Sequence, residues 1–298
     1  MNEPGSSARP AEARTWRELV SAARAVLGDG NEAMILGEEA AGSSRADFVL
    51  AMDTIPEDPD RARFGALVEQ RSHGAPLQHV VGHWGFRRLD LVVDGRVLVP
   101  RPETEFTVEV ALGELAARDT PDARTLAVDL GTGSGAIACS LVAECPGVSV
   151  VATDLSPAAL EVAKLNRARL DPGEADRIEF RLGDWYSALD PAMAGRVDLV
   201  VANPPYVAAS EWHGLDPVVR DFDPPGALVA GETGREAIEE IVRGAPAWLR
   251  DGAPVVVEIA PDQAPAVAAF AADCGAQVVD VRCDLTGRDR VVVARWGP

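Results

Sequence analysis

TLAVDLGTGSG, residues 125–135, is the stretch of sequence that decides the fold. Its first six residues, Thr125 to Leu130, have the length and apolar character of a buried strand, and three glycines follow at alternate positions before a helical pattern begins. Glycine lets the backbone turn tightly and lets a ligand approach the main chain. The spacing G-x-G-x-G is not the dinucleotide-binding spacing G-x-G-x-x-G, so the loop by itself is compatible with a ligand site or with a structural turn.

Strand and helix patterns alternate around this stretch. Further strands are predicted at 148–154, 178–183, 197–202, 253–259, 276–283 and 290–296. Helices are predicted at 105–118, 135–145, 157–170, 234–250 and 262–274. This alternation is typical of an α/β domain with a mostly parallel, doubly wound sheet. The short connection 284–289 favours an antiparallel pairing of the last two strands.

The N-terminal part of the chain has a different pattern. Residues 15–75 contain four apolar patterns at helical spacing and predict a small helical domain. Residues 76–100 change to short apolar runs. Asp94-Gly95 is a strong hairpin-turn signal, so a β-hairpin linker is predicted with strands at 79–81 and 89–93 and a return strand at 96–99.

Residues 1–14 are rich in Ala, Pro, Ser, Glu and Arg and predict a disordered tail without the apolar stretch of a signal peptide. No apolar run of about 18 residues occurs, so no transmembrane helix and no membrane partner are expected. The four cysteines form no C-x-x-C pair, which favours reduced core thiols, no metal and a cytoplasmic location. The net charge of −19 disfavours a stable nucleic-acid partner, because such proteins usually carry a basic face.

Acidic residues follow the second and third strands of the α/β region. Asp154 ends the second strand, and a carboxylate there can accept both hydroxyls of a ribose, although a helix N-cap is its commoner role. Asp184-Trp185 ends the third strand, where the acid can meet an adenine amino group and the indole can cover its ring. Open α/β sheets bind ligands at this edge, so the glycine loop and the two acids together predict a nucleotide-like site.

This order of elements resembles the class I SAM-dependent methyltransferases, in which S-adenosyl-L-methionine (SAM) is the methyl donor. The resemblance covers residues 101–298. It implies a Rossmann-like seven-stranded sheet with an antiparallel seventh strand.

Asn203-Pro204-Pro205-Tyr206 follows the predicted strand 197–202. Two prolines fix the backbone and offer no N–H groups, so the carbonyl of Pro204 and the side-chain oxygen of Asn203 are two acceptors suited to an NH₂ group on a planar system. The Tyr206 ring can stack on that plane. An amide nitrogen is a poor nucleophile, so orientation and electrostatic preorganisation would supply most of the catalysis. The alternative is a rigid turn that ends a strand.

The rest of the chain resembles the HemK/PrmC family, the peptide chain release factor N5-glutamine methyltransferases. The resemblance is carried by PLQH (76–79), GHWGF (82–86), LVPRPETE (98–105), GDWYSAL (183–189), NPPYV (203–207), ALVAG (227–231) and DLTGRDR (284–290). It implies that the helical domain helps to hold a release factor, and that the substrate is the glutamine of its Gly-Gly-Gln motif.

The resemblance also implies the site residues. Those expected to hold SAM are Gly131, Thr132, Gly133, Ser134, Gly135, Asp154, Asp184, Trp185 and Asn203. Those expected to form the glutamine pocket are Asn203, Pro204, Pro205 and Tyr206. Asn203, Pro204 and Tyr206 are the candidate catalytic residues, and no metal is expected.

Three features depart from the family pattern or stay open. Gly37 and Glu39 interrupt a helix that is more apolar in relatives, and Glu258-Ile259-Ala260 stands where many relatives have Glu-His-Gly. The insert 207–226 is either a lid or a plain surface loop.

Three other functions remain as alternatives. The first is a glutamine methyltransferase acting on a ribosomal protein. The second is a nucleic-acid amino-methyltransferase, which would flip a base into the same pocket. The third is a SAM-binding protein without activity.

Overall fold

The computed structural model describes residues 14–117 and 125–297. The predicted tail at 1–14, apart from Arg14, and the predicted helix end at Arg118 lie outside these residues. The chain divides into two compact units, with the boundary between Val81 and Gly82. The expected helical domain therefore extends a few residues beyond the predicted boundary at 75.

The N-terminal unit is built from helices. They are α1 (Trp16–Leu27), α2 (Gly30–Ala41), α3 (Arg45–Ala51), α4 (Asp58–Ser72) and α5 (Leu77–Val81). The Thr15 hydroxyl accepts from the backbone N–H of Glu18 while the Glu18 carboxylate accepts from the backbone N–H of Thr15, so a capping box starts α1. Gly28 and Gly42 end α1 and α2 in the left-handed conformation that glycine adopts without strain.

Aromatic rings from three helices form the centre of this unit. The Trp16 ring makes edge-to-face contacts with Phe48 and Phe64, at centroid distances of 5.1 and 5.7 Å. Helix α2 runs unbroken through Gly37, so the expected interruption of that helix is wrong. A side chain at residue 37 would collide with the buried Phe48 ring, and Glu39 forms an ion pair with Arg63. Close packing therefore explains the glycine.

The predicted β-hairpin is present but lies elsewhere. Its strands are β1 (His83–Phe86) and β2 (Leu89–Val92), paired antiparallel. The turn of the hairpin is at Arg87-Arg88. Asp94-Gly95 also forms a turn, closed by a hydrogen bond of 3.1 Å from the Val97 N–H to the Asp94 carbonyl, but residues 96–99 form no strand, and 79–81 belong to α5. Arg87 adopts φ +50°, and its side chain and backbone N–H bond Glu105, Glu109 and Glu144. These contacts, made by residues far along the chain, stabilise a turn that its sequence does not signal.

The C-terminal unit holds a seven-stranded sheet in the order β10-β11-β9-β6-β3-β4-β5. Its strands are β3 (Thr125–Leu130), β4 (Val148–Asp154), β5 (Ile178–Leu182), β6 (Leu199–Ala202), β9 (Pro254–Glu258), β10 (Val278–Cys283) and β11 (Asp289–Arg295). Strands β5, β4, β3, β6 and β9 are parallel, and β11 is antiparallel to both its neighbours. The predicted α/β class, with its antiparallel seventh strand, is confirmed.

Helices cover both faces of this sheet. They are α6 (Pro102–Ala117), α7 (Ala136–Glu144), α8 (Pro157–Arg167), α9 (Pro172–Ala175), α10 (Pro217–Arg220), α11 (Glu236–Gly244) and α12 (Ala264–Asp273). Alternate residues of β3 point to opposite sides: Val128 packs in one buried cluster with Ile241, and Ala127 in another with Leu141. A small parallel pair, β7 (Val207–Ala208) and β8 (Val229–Gly231), flanks the insert.

The topology places the predicted site residues together. Strand β3 pairs with β4 on one side and with β6 on the other, so the chain reverses its direction of travel across the sheet at β3. In open α/β sheets the crevice at such a point, beyond the carboxyl ends of the strands, is where ligands bind.

Candidate active site

A cavity of about 500 Å³ lies at this carboxyl edge. The glycine loop after β3 and Asp154 after β4 form one side of it. Asp184 and Trp185 after β5 and Asn203 after β6 also line the cavity, and so do Pro100, Arg101 and Thr104 from the start of α6. A cavity of this size is in the range of small-molecule and cofactor sites.

The three glycines of the loop after β3 adopt backbone conformations that favour glycine. Gly131, Gly133 and Gly135 all have left-handed φ angles, of +72°, +56° and +81°. A side chain at residue 131 would come within 3.1 Å of the Trp185 ring, and one at residue 135 within 3.2 Å of Ala163. Glycine is therefore required both by the backbone conformation and by the close approach of neighbours.

Asp129 supports the loop from beneath. Its carboxylate is fully buried, and it accepts a hydrogen bond of 2.6 Å from the Thr132 hydroxyl and one of 3.2 Å from the backbone N–H of Ala138. Burial raises the pKa of Asp129 to about 7, the two hydrogen bonds oppose that rise, and the nearby Asp154 adds to it. Asp129 is absent from the cavity wall, so it positions the loop without reaching the ligand space.

Asp154 accepts backbone hydrogen bonds through both carboxylate oxygens and also lines the cavity. One carboxylate oxygen accepts from the backbone N–H of Gly133 and the other from that of Ser156, each at 2.8 Å. Burial raises the pKa of Asp154, and these backbone hydrogen bonds oppose the rise. A carboxylate oxygen has two lone pairs. Each oxygen can therefore brace the loop and still accept from a hydroxyl in the cavity.

Asp184 and Trp185 form the wall at the end of β5. Asp184 is exposed and lines the cavity, and Trp185 adopts a left-handed φ of +40°. This unusual conformation for a bulky residue places the indole against Gly131. The ring therefore packs against the glycine loop at the edge of the cavity.

The Asn203 side chain is oriented by a threonine. Its Nδ2 donates a hydrogen bond of 2.9 Å to the Thr104 hydroxyl oxygen, which belongs to the first turn of α6. Among the described residues, no group donates to the Asn203 Oδ1. The amide therefore turns its NH₂ toward α6 and keeps its oxygen available.

The other three residues of the Asn203–Tyr206 tetrapeptide take different positions relative to the cavity. Pro205 lines the cavity, whereas Pro204 and Tyr206 are outside its lining. Within the described parts of the chain, the Pro204 carbonyl accepts no backbone hydrogen bond. The Tyr206 carbonyl accepts at 3.0 Å from Gln263, whose Nε2 also donates to the Gly234 carbonyl at 3.0 Å.

The predicted site residues are therefore brought together with few exceptions. Those that line the cavity are Gly131, Thr132, Gly133, Ser134, Asp154, Asp184, Trp185, Asn203 and Pro205. Gly135 starts α7 behind the loop, and Pro204 and Tyr206 lie beside the cavity.

The insert 207–226 supplies another part of the wall. Pro224 and Gly226 line the cavity. Asp223 next to them is buried and accepts a hydrogen bond of 2.7 Å from Arg101. An ion pair with one buried partner ties this end of the insert to the start of α6.

Comparisons with known proteins agree with this architecture. The methyltransferase small domain family matches residues 111–217, and the PrmC N-terminal domain family matches residues 12–82. A release factor glutamine methyltransferase of Cereibacter sphaeroides is 46% identical over 246 residues, which cover 82% of each chain. Those of Xylella fastidiosa (strain 9a5c) and Bordetella pertussis are 43% and 42% identical, over 78% and 87% of this chain and 80% and 92% of theirs. The chain belongs to the release factor glutamine methyltransferase family.

Solved structures extend the comparison to the fold of this family member. The N-terminal domain of human METTL16 in complex with SAH aligns with a TM-score of 0.52 at 14% identity, covering 81% of this chain and 84% of that one. At this identity the likeness shows the fold alone.

Two further properties concern only residues 14–117 and 125–297. None of their helices is long and apolar enough to cross a membrane, and they contain no cluster of His, Cys, Asp or Glu suited to a metal.

Sequence reasoning missed three supporting residues of this methyltransferase. Thr104 bonds Asn203, Gln263 bonds the backbone of Tyr206, and Arg101 bonds the insert. Thr104 and Arg101 lie inside the PRPETE stretch that carries part of the family resemblance, which was the available signal. Gln263 had none, because its partners are 57 and 29 residues away.

Proposed function

We propose that this enzyme transfers a methyl group from SAM to the side-chain amide nitrogen of the glutamine in the Gly-Gly-Gln motif of a peptide chain release factor. The observation that carries the proposal is the Asn203 amide, which turns its NH₂ to Thr104 and keeps its oxygen for a ligand at the end of β6. The names of its relatives support the same substrate.

The cavity fits SAM. Gly131 and Gly133 line the cavity without a side chain, so a nucleoside can approach the backbone of the loop closely. The Asp154 carboxylate can accept from ribose hydroxyls, and Asp184 with Trp185 can hold the adenine. The residues that would hold SAM are therefore those of the glycine loop, Asp154, Asp184 and Trp185. SAM supplies an electrophilic methyl group on a positively charged sulfur.

The residues after β6 bind and aim the substrate nitrogen. The Asn203 Oδ1 and the Pro204 carbonyl are two acceptors on a rigid backbone, and an amide NH₂ has two hydrogens to donate. Two hydrogen bonds of this kind hold the nitrogen in one orientation and increase its electron density. The contribution to rate comes from positioning and preorganised dipoles, without a strong base.

Tyr206 contributes its ring. Burial raises the pKa of the Tyr206 hydroxyl to about 12, and the nearby Glu258 adds to that rise. The phenol therefore stays neutral at physiological pH. Its role is to provide a flat apolar surface beside the amide plane.

The N-terminal unit is proposed to dock the release factor. Several large apolar side chains are exposed on or beside its helices: Val49, Leu50 and Ile55 are 52, 85 and 56% exposed. Adjacent exposed apolar residues are typical of a surface that meets another protein. We place the reaction in the cytoplasm, which agrees with four cysteines that form no disulfide.

Mass spectrometry of release factor incubated with enzyme and SAM tests the proposal. One added methyl group on the Gly-Gly-Gln glutamine is expected, with none on a release factor whose glutamine is replaced by glutamate. Parallel incubations with ribosomal protein and with RNA or DNA test the alternative substrates. Methyl transfer to one of these, with none to release factor, would overturn the assignment.

A further inference from the structure

A group of buried polar side chains, Thr104, Thr107 and Glu258, lies behind Asn203. Thr104 and Thr107 are one helical turn apart on α6, and both are buried. Thr104 accepts from the Asn203 Nδ2 at 2.9 Å, and Thr107 donates at 2.8 Å to Glu258 Oε2 at the end of β9. The two threonines therefore lie between the cavity residue Asn203 and a carboxylate deep in the sheet.

Glu258 is fully buried, and its second oxygen is under-satisfied. Among the described residues, Oε1 has no hydrogen-bond partner of ordinary geometry. The neighbouring hydroxyl of Thr104 favours the ionised form of Glu258. An unpartnered buried carboxylate oxygen attracts hydrogen-bond donors, and the Thr104 hydroxyl beside Glu258 can turn its hydrogen toward that oxygen.

This attraction determines which groups donate and which accept between Glu258, Thr104 and Asn203. A carboxylate has no hydrogen to donate, and a hydroxyl has only one. If that hydrogen points to Glu258, Thr104 can only accept from Asn203. Asn203 must then present its NH₂ to Thr104 and its oxygen to the cavity, as it does.

We propose that Thr104 and Glu258 are positioning residues that set the polarity of the Asn203 amide, so that the site receives an NH₂ group and not a carbonyl oxygen. The proposal rests on the proposed function, because it explains how the acceptor role of Asn203 is enforced. A glutamine side chain carries both groups at similar positions, so an amide of the wrong polarity would bind the carbonyl and turn the nitrogen away.

The ionisation of Glu258 makes this polarity depend on pH. Burial, with a smaller contribution from nearby Glu103 on α6, raises the pKa of Glu258 to about 7. Arg290 on β11 and the two threonine hydroxyls oppose the rise. Tyr206 also lies close to Glu258 and remains neutral because its own pKa is about 12.

Below its pKa, Glu258 carries a hydrogen of its own. It can then donate to Thr104, whose hydrogen can turn to Asn203 and favour the flipped amide. The fraction of correctly oriented enzyme, and with it the rate of methyl transfer, therefore falls as pH decreases through about 7. Because an unpaired buried hydroxyl is costly, the fall should reach about tenfold.

The test measures single-turnover methylation of release factor at saturating SAM, from about pH 6 to about pH 8.5. Thr104→Val removes the hydroxyl but keeps the shape, and we expect a three- to tenfold lower rate at high pH, roughly the worth of one hydrogen bond. Its rate should no longer fall with decreasing pH, because Asn203 is disconnected from Glu258. Thr104→Ser should restore both the rate and the pH dependence.

Thr107→Val is the matched control. It removes a threonine hydroxyl from the same helix and the same carboxylate, but it leaves the bond between Thr104 and Asn203. Losing a donor disfavours the ionised Glu258, so the decrease in rate should move to higher pH while the rate at high pH changes less than about twofold. Glu258→Gln, a neutral analogue, should give a low rate with no dependence on pH in this range.

The outcomes separate this proposal from the proposed function. A wild-type enzyme that methylates no release factor would refute the function. If the wild type is active, a Thr104→Val variant with the wild-type rate and pH dependence overturns the positioning role. So does a Glu258→Gln variant that keeps the pH dependence, and this result is informative even if Thr104→Val fails to fold. SAM binding, measured by calorimetry, verifies that the SAM site of each variant is intact.

Discussion

The two sides of the cavity are built in different ways. On the glycine-loop side (Gly131–Gly135 with Asp154), most contacts involve the backbone, and the supporting hydrogen bonds join residues 3, 21 and 32 positions apart. On the Asn203 side (Asn203–Tyr206 with Thr104 and Gln263), the supporting bonds join residues 99 and 57 positions apart. A local motif therefore builds the cofactor side, whereas the nitrogen side depends on packing between distant segments.

This difference has a chemical reason. Holding a nucleoside needs space, backbone N–H groups and a carboxylate, which a tight loop and a strand end can provide by themselves. Binding the NH₂ group of an amide and not its carbonyl oxygen needs an Asn side chain whose own oxygen and NH₂ group are held in one orientation. An isolated Asn has no intrinsic preference between its two orientations. A second layer of residues must supply that preference.

Removing residues 1–81 should have the largest effect and would test whether both sides lie wholly in the C-terminal unit. SAM binding should persist, since every residue that lines the cavity lies beyond Val81. Transfer to intact release factor should fall by about 10²–10⁴ in kcat/KM, the range by which a second linked contact raises binding. Calorimetry and release-factor methylation are the two measurements. Full activity of the truncated enzyme would show that the helical unit has no docking role.

Asn203→Ala tests the Asn203 side directly. Loss of a preorganised acceptor should lower the single-turnover rate by about 10²–10³. Asn203→Asp keeps an acceptor but cannot donate to Thr104, so we expect the order wild type, then Asp, then Ala. A wild-type rate in the Ala variant, with SAM bound normally, would move the acceptor role to the Pro204 carbonyl alone.

Asp154→Ala tests the glycine-loop side. A hydrogen bond to a charged group contributes roughly 1.5–3 kcal/mol, so SAM affinity should fall about 10- to 100-fold. Asp154 also accepts from Gly133 and Ser156, and part of the loss would come from a looser loop. Asp154→Asn keeps one oxygen acceptor and should lose less. Unchanged affinity in calorimetric titration of the Ala variant would remove Asp154 from the site.

Gln263→Glu should have the smallest effect and probes the long-range support of the Asn203 side. The substitution removes the two donors to the Tyr206 and Gly234 carbonyls while keeping the oxygen that accepts from Ala260. Of the two lost bonds, only the one to Tyr206 holds the Asn203 side, so we expect a rate about fivefold lower, near the worth of one neutral hydrogen bond, with SAM affinity unchanged. Equal losses of rate and SAM affinity would contradict the division of the cavity into two independent sides.

The sequence alone predicted most of the sheet and its nucleotide edge. The central strands carry apolar runs, and the helices between strands have their own periodicity, so most of these elements can be found without long-range information. The glycine loop, Asp154, Asp184 and Asn203 sit at strand ends, and parallel strands bring their carboxyl ends to one edge. Local pattern and a topological rule therefore sufficed to place them together.

Only the tertiary structure decided where the hairpin turns and how the Asn203 side is supported. The turn at Arg87 is held by Glu144, which lies 57 residues further along the chain. Asp94-Gly95 also forms a turn, but no strand follows it to pair with β2. Thr104 and Glu258 both lie in stretches that the family resemblance marks, but nothing in the sequence indicates that they lie near each other. Their roles arise because α6 packs beside β6 and β9, and a hydrogen bond between residues 99 positions apart exists only after the sheet has formed.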